Sequence, residues 1–222
     1  MPKTQRLDNA LIQQGKILNK SETFILVTEG RVFVNGQKAI SPAQLIPQDA
    51  KIEIRPEQKY VGRGALKLEA ALDQFGVDPR GKVCADIGAA TGGFTQVLLQ
   101  RGAKKVYAID TARGKLALKL RTDPAVVVME QTDIRKIESL PEPIDLAVVD
   151  VSLIPLEHIL PHVRRLAPEA EVIALLKPQY ETRDPAILKH GIVRDDRERE
   201  KIVSAFKQWL SEHNWVLREK IA

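Results

Sequence analysis

The densest chemical signal is the segment Asp86-Ile87-Gly88-Ala89-Ala90-Thr91-Gly92-Gly93-Phe94-Thr95, which leads from an apolar run into an amphipathic stretch. It reads as a strand-to-helix turn. Glycines there let a ligand approach the backbone, and a helix N-terminus favours a negative group. The spacing, Gly88-x-x-x-Gly92-Gly93, is not the Gly-x-Gly-x-x-Gly that fits a pyrophosphate, and the Lys-Ser/Thr of a phosphate loop is missing. Asp110 closes the next apolar run, 24 residues after Asp86. A carboxylate at that place accepts both ribose hydroxyls and repels a 2′-phosphate. The implied ligand is an adenine nucleoside without a diphosphate but with charged groups of its own, and S-adenosylmethionine fits. Asp86 then anchors the site near the amino group, and the helix start receives the carboxylate. Asp133, in Thr132-Asp133-Ile134-Arg135, is placed to meet the adenine edge, with a loop or helix cap as its competing role.

The elements that position these residues follow from the apolar pattern. Runs at Val83–Ile87, Val106–Ile109, Val126–Met129, Ile144–Val149 and Val172–Leu176 alternate with amphipathic stretches. Such runs predict a parallel α/β sheet covered on both faces. Asp150 and Lys177 close the fourth and fifth runs, at the edge of an open α/β sheet where ligands bind. Glu181 and His190 read as loop residues and Cys84 as core. A last helix over Asp196–Glu212 is expected to bury Ile202, Ala205, Phe206, Trp209 and Leu210, with a final strand over Trp215–Ile221.

A separate small α+β module precedes this sheet. Leu7, Ala10 and Leu11 share a helical face that ends near Gly15. A second helix is expected from Ser21, as its cap, to Glu29, with Gly30 stopping it. Arg31–Val34 and Lys51–Arg55 alternate, and Asn35-Gly36 supplies a tight turn. Pro56 to Gly64 reads as a polar linker, and a helix resumes at Leu66 and ends at Gly76. The expected domains are 1–59 and 60–222.

Composition bounds the function. The 222 residues include 44% hydrophobic and 28% charged types, ordinary for a globular chain, so a disordered or fibrous protein is excluded. No apolar run approaches the ~18 residues of a membrane span. Met1 to Ala10 does not read as a secretory signal. One cysteine forms no internal disulfide, and a reducing cytoplasm is the expected location. Net charge is +5, with +3 in residues 1–60 and +2 in 61–222. The denser positive charge in front fits a nucleic-acid partner as well as a solvated surface.

These residues resemble the methyltransferase domain of the FtsJ-like superfamily and, with the front module, the haemolysin-A-type (TlyA-like) family. Arg6-Leu7-Asp8, Gly15, Gly30-Arg31-Val32 and Val34-Asn35-Gly36 are similar to the alpha-L RNA-binding motif of a small-subunit ribosomal protein. Tyr60-Val61-Gly62-Arg63-Gly64-Ala65-Leu66-Lys67-Leu68, Val149-Asp150-Val151-Ser152 and Lys177-Pro178-Gln179-Tyr180-Glu181 carry the rest. The resemblance implies a Rossmann-like fold, S-adenosylmethionine as cofactor, and 2′-O-methylation of ribosomal RNA. It implies RNA contacts from Arg6, Lys20 and Arg31, and cofactor contacts from Asp86, Gly88, Gly92, Asp110 and Asp133. Asn19-Lys20 stands where the motif usually has Ser-Arg, and Ala65 where Arg-Gly-Gly is usual.

The resemblance also implies a Lys-Asp-Lys-Glu catalytic set, of which Lys67, Asp150 and Lys177 are the first three. A ribose hydroxyl is a poor nucleophile and needs alignment and help in losing its proton. Lys177 is nearest that role, with Lys67 as a second cation and Asp150 holding Lys177 in line. Without the resemblance, Lys67 reads as an exposed helix lysine. The glutamate lies, in relatives, on a last strand past the position of Ala222. Slow turnover is therefore expected, as is an open edge at the fifth strand, covered by the tail or by a second protomer. The alternatives are an RNA-binding protein that keeps the pocket without turnover and a membrane-active cytolysin.

Overall fold

The five apolar runs form one parallel sheet in the computed structural model, which describes residues 3–28, 30–56, 59–62, 64–182 and 184–221. Two compact units divide the chain, Met1–Lys59 and Tyr60–Ala222.

In the first unit, β1 (Thr4–Arg6) leads into α1 (Leu7–Gln13) and α2 (Lys20–Thr28). The strands β2 (Val32–Val34), β3 (Gln37–Lys38), β4 (Leu45–Pro47) and β5 (Ile52–Ile54) follow. β3-β2-β5 is an antiparallel sheet, and β1 pairs antiparallel with β4. The turn between β2 and β3 has Asn35 at φ 49° and Gly36 at φ 80°, the pair of positive angles that a two-residue hairpin requires. Leu7, Leu11, Val32 and Ile46 are almost fully buried at its centre. Ser21 is not the cap of α2. Lys20 is already helical, and Asn19 Oδ1 accepts the Glu22 amide at 3.0 Å. An asparagine side chain reaches that orphan donor from two positions before Ser21. The expected end at Glu29 lies outside the described residues.

In the second unit, α3 (Ala65–Phe75) precedes β6 (Val83–Ile87), α4 (Gly93–Gln100), β7 (Lys105–Ile109), α5 (Leu118–Arg121) and β8 (Val126–Met129). Then come β9 (Leu146–Val149), α6 (Leu160–Leu166), β10 (Glu171–Ala174), α7 (Pro178–Glu181), a small hairpin of β11 (Leu188–Lys189) and β12 (Ile192–Val193), and α8 (Asp196–Glu212). The strand order is β10-β9-β6-β7-β8, all parallel. The order reverses between β6 and β9, which places a crevice at their carboxyl ends. Every residue of β6 and β9 is buried, as strands covered on both faces require.

Three expectations need correction. Tyr60 and Val61 are not linker: Tyr60 is buried, and the Val61 amide donates to Gln96 Oε1 at 2.8 Å. On α8 only Leu210 is buried, while Ile202, Phe206 and Trp209 are half-buried and Ala205 is exposed. Trp215–Ile221 forms no strand and does not pair with β10. Trp215 packs into the core with Arg164 4.0 Å over its ring, but Val216 is 84% exposed, so nothing holds the tail in a ladder. Its one described tie to β10 is Arg218 donating to Glu171 at 3.3 Å.

Candidate active site at the carboxyl edge of the sheet

The turn after β6 is shaped by close backbone approach. Gly88 has φ +88°, and a Cβ there would lie 2.5 Å from the Asp150 carbonyl oxygen. Gly92 has φ +92°, and a Cβ there would meet Leu120 at 2.3 Å and Leu116 at 2.7 Å. Both positions need glycine for conformation, and Gly88, pressed against backbone, needs it for space as well.

Asp86 points under this turn and is fully buried. Its Oδ2 accepts the Thr95 amide at 2.8 Å and the Thr95 hydroxyl at 2.6 Å, while Oδ1 is buried without a hydrogen-bond partner. Burial pushes its pKa up to about 7, with the Thr95 hydrogen bonds opposing and the charges of Asp150 and Asp110 adding to the rise. Asp110 joins two loops: Oδ2 accepts the Ala90 amide at 2.8 Å and Oδ1 the Ala112 amide at 2.7 Å.

Asp133 caps the short turn Ile134–Lys136 through the Arg135 amide at 2.9 Å, and forks with the Arg135 guanidinium at 2.6–3.0 Å. That guanidinium holds its carboxyl down at about 2. The competing role named for Asp133 is therefore the one its geometry displays.

At the ends of β9 and β10 two charges meet. Lys177 Nζ lies 2.5 Å from Asp150 Oδ1 as an ion pair outside hydrogen-bond geometry. The ammonium donates instead to the Val151 carbonyl at 2.8 Å and to Ser152 Oγ at 2.9 Å. Asp150 is held from below by its own amide, which donates to Ile87 at 2.9 Å. A Cβ on Gly64, just before α3, would lie 3.4 Å from Asp150 Oδ2, so the start of α3 abuts this pair. Lys67 is in the first turn of α3 and exposed. Among the described residues no hydrogen bond or ion pair joins it to Asp150 or Lys177.

Glu181 carries more structure than a loop residue. Its carboxylate accepts the Leu156 amide at 3.0 Å, and burial raises its pKa to about 6. Lys177 and Glu181 thus hold the two ends of the segment 151–156, in which Leu153 has φ 66° and is 86% exposed.

In the first unit Arg6 and Lys20 converge on the buried Asp8. Arg6 forks onto it at 3.0 and 2.6 Å, and Lys20 stands 4.0 Å away. Arg31 lies apart, donating to the Arg55 carbonyl at 3.0 Å. Arg55 in turn stacks 3.5 Å over the Phe33 ring.

The family model for the FtsJ-like methyltransferase matches residues 60–218. Hemolysin A of Brachyspira hyodysenteriae is 41% identical over 203 residues, covering 90% of this chain and 85% of that protein. The 16S/23S rRNA (cytidine-2′-O)-methyltransferase TlyA of Mycobacterium tuberculosis is 36% identical over 220 residues, covering 97% and 82%. A solved hemolysin structure from Streptococcus thermophilus superposes with a TM-score of 0.65 at 36% identity, covering 94% of this chain and 78% of that one. The chain belongs to the FtsJ-like methyltransferase family and, within it, to the hemolysin A/TlyA group.

Proposed function

We propose that this chain is an S-adenosylmethionine-dependent methyltransferase of ribosomal RNA, acting on ribose 2′-hydroxyls. The observation that carries the reading is the Lys177–Asp150 pair beside the Gly88 turn, at the crevice where the strand order reverses. The residues fit the cofactor. Asp86 Oδ1 is an orphaned buried acceptor suited to an ammonium, and Asp110 offers a carboxylate whose two oxygens each keep a lone pair for ribose. Gly88 and Gly92 let the turn close against Asp150 and against Leu116 and Leu120, which shapes it for the cofactor, and Asp133 is our choice for the adenine edge beside its capping role. When bound, the cofactor supplies an electrophilic methyl group on a sulfonium.

The chain's own residues supply position and proton handling. In this reading Lys177 handles the proton of the acceptor hydroxyl. Its contacts to Val151, Ser152 and Asp150 fix its Nζ at the carboxyl edge. Alignment of that kind contributes more to methyl transfer than any gain in basicity. Lys67, on the helix that abuts Asp150, adds positive charge on the acceptor side. The first unit, with Arg6, Lys20 and Arg31, carries RNA affinity. A cytoplasmic location follows from that substrate. Among the described residues no helix is long and apolar enough to cross a membrane.

The test is ribose-methylation mapping of rRNA from cells with and without the gene, paired with calorimetry of S-adenosylmethionine binding. A methyl group lost with the gene, and binding weakened by Asp110→Ala, are expected. An unchanged methylation map with no binding at millimolar cofactor overturns the reading.

A further inference from the structure

We propose that Glu130 is a positioning residue for the cofactor site, holding the loop 111–117 as one of its walls; the proposal rests on the S-adenosylmethionine reading above.

Glu130 follows directly on β8, and its side chain is 11% exposed. Its Oε2 accepts the Gly114 amide at 2.8 Å, and its Oε1 accepts the Lys115 amide at 2.9 Å and the Leu116 amide at 3.1 Å. Arg121 Nη2 donates to Oε1 at 2.7 Å. Three successive N–H groups converge because Gly114 takes φ +65°. Such a backbone concavity binds anions, and here a carboxylate of the same chain fills it.

What the loop does once held gives Glu130 its role. The Ala112 amide donates to Asp110 Oδ1, one of the two oxygens expected to face ribose. The Ala117 amide donates to the Thr91 carbonyl inside the glycine turn at 3.2 Å. Leu116 and Leu120 fill the space against Gly92. One carboxylate therefore sets both the Asp110 wall and the outer face of the glycine turn. Gly114 and Lys115 are exposed, so water can replace the lost acceptor. Removing Glu130 should free the loop without unfolding the unit.

Two measurements test this on the full chain. Amide exchange at Gly114, Lys115 and Leu116 in the cofactor-free wild type should be slow, and fast in Glu130→Gln. Calorimetry and steady-state kinetics should show Kd and KM for S-adenosylmethionine raised about tenfold in Glu130→Gln, from loss of charge-assisted hydrogen bonds. The kcat at saturating cofactor should stay within about twofold, since the loop does not touch the reacting groups. Arg121→Gln, which leaves the three amide bonds in place, should change Kd less than about threefold. Fast exchange in the wild type overturns the proposal even if Glu130→Gln fails to fold. So does an unchanged Kd in Glu130→Gln beside a wild type that binds, which leaves the functional reading intact. A wild type that does not bind the cofactor overturns both.

Discussion

Asp86 is a carboxylate placed where its charge is disfavoured until something meets it. Its pKa near 7 in the folded chain stands against an ordinary value of 3.8. Between those two values the unfolded chain has lost the proton and the folded chain keeps it. The unfolded state then binds fewer protons, so stability falls as pH rises from about 4 to about 7 and is level above that. The full excursion is on the order of 4 kcal/mol at ~1.4 kcal/mol per pH unit. Asp86→Asn removes the charge and keeps the shape. Its gain in thermal stability over wild type should be near zero at pH 4 and complete by pH 8, in ligand-free melts at several pH values. An ammonium beside Asp86 reverses the balance, so affinity for S-adenosylmethionine should rise with pH through 6 to 8 in wild type and stay flat in the variant. A pH-independent difference in melting would remove the argument. The sequence points to Asp110, Asp150 and Lys177 because each closes an apolar run, and to Asp86 because it leads into the glycine turn. Glu130 also closes an apolar run, but its role, like that of Glu181, is not legible, since a carboxylate that accepts backbone amides leaves no spacing to read.

At the level of elements, the five parallel strands are readable as continuous apolar runs, which burial on both faces demands of the central β6, β7 and β9, while the edge strands β8 and β10 are only partly buried. The pairing of β1 with β4 was not. Three residues such as Thr4-Gln5-Arg6 carry no alternation, and their partners Pro47, Ile46 and Leu45 lie 39 to 43 positions away in sequence. Trp215-Val216-Leu217 misled in the opposite sense, an apolar run whose second and third members are 84% and 48% exposed. The glycine turn allows a sharper test of what packing adds to conformation. Gly81 has φ +72° with nothing within 4 Å of an added Cβ, whereas Gly88 has φ +88° with the Asp150 carbonyl at 2.5 Å. Gly81→Ala should cost about 1 kcal/mol from the left-handed backbone alone. Gly88→Ala adds overpacking and should cost about 2–4 kcal/mol, displacing Asp150 and with it Lys177. Denaturant melts compare the two, and equal costs would mean that the turn yields without resistance.

The whole molecule joins a unit dense in positive charge to one that is nearly balanced: +3 over residues 1–59 and +2 over 60–222. Among the described residues β10 has a strand partner on one side only. It is four residues long, and Glu171 at its start pairs with Lys82 and Arg218, the kind of short, charged edge that resists chance pairing. The sequence-based expectation that a second copy of the chain covers that edge is tested by sedimentation over a range of concentrations, with a concentration-independent monomer as the contrary result. The charge asymmetry makes its own prediction for RNA. Each lysine or arginine that displaces a phosphate counterion adds about 0.7–0.9 to the slope of log affinity against log salt. Lys20 has a side chain 62% exposed and stands 4.0 Å from Asp8, so it is available to a phosphate; Lys20→Gln should lower the slope by about one contact and leave stability unchanged. Arg6 differs because its fork satisfies Asp8, whose side chain is 3% exposed. Arg6→Gln should therefore destabilise the first unit by about 1–2 kcal/mol as well as weaken RNA binding. Filter binding of a structured rRNA fragment from 50 to 300 mM salt, run beside thermal melts, separates the two effects. If Lys20→Gln leaves the slope unchanged, the positive face of the first unit is a solvated surface and the RNA is held elsewhere.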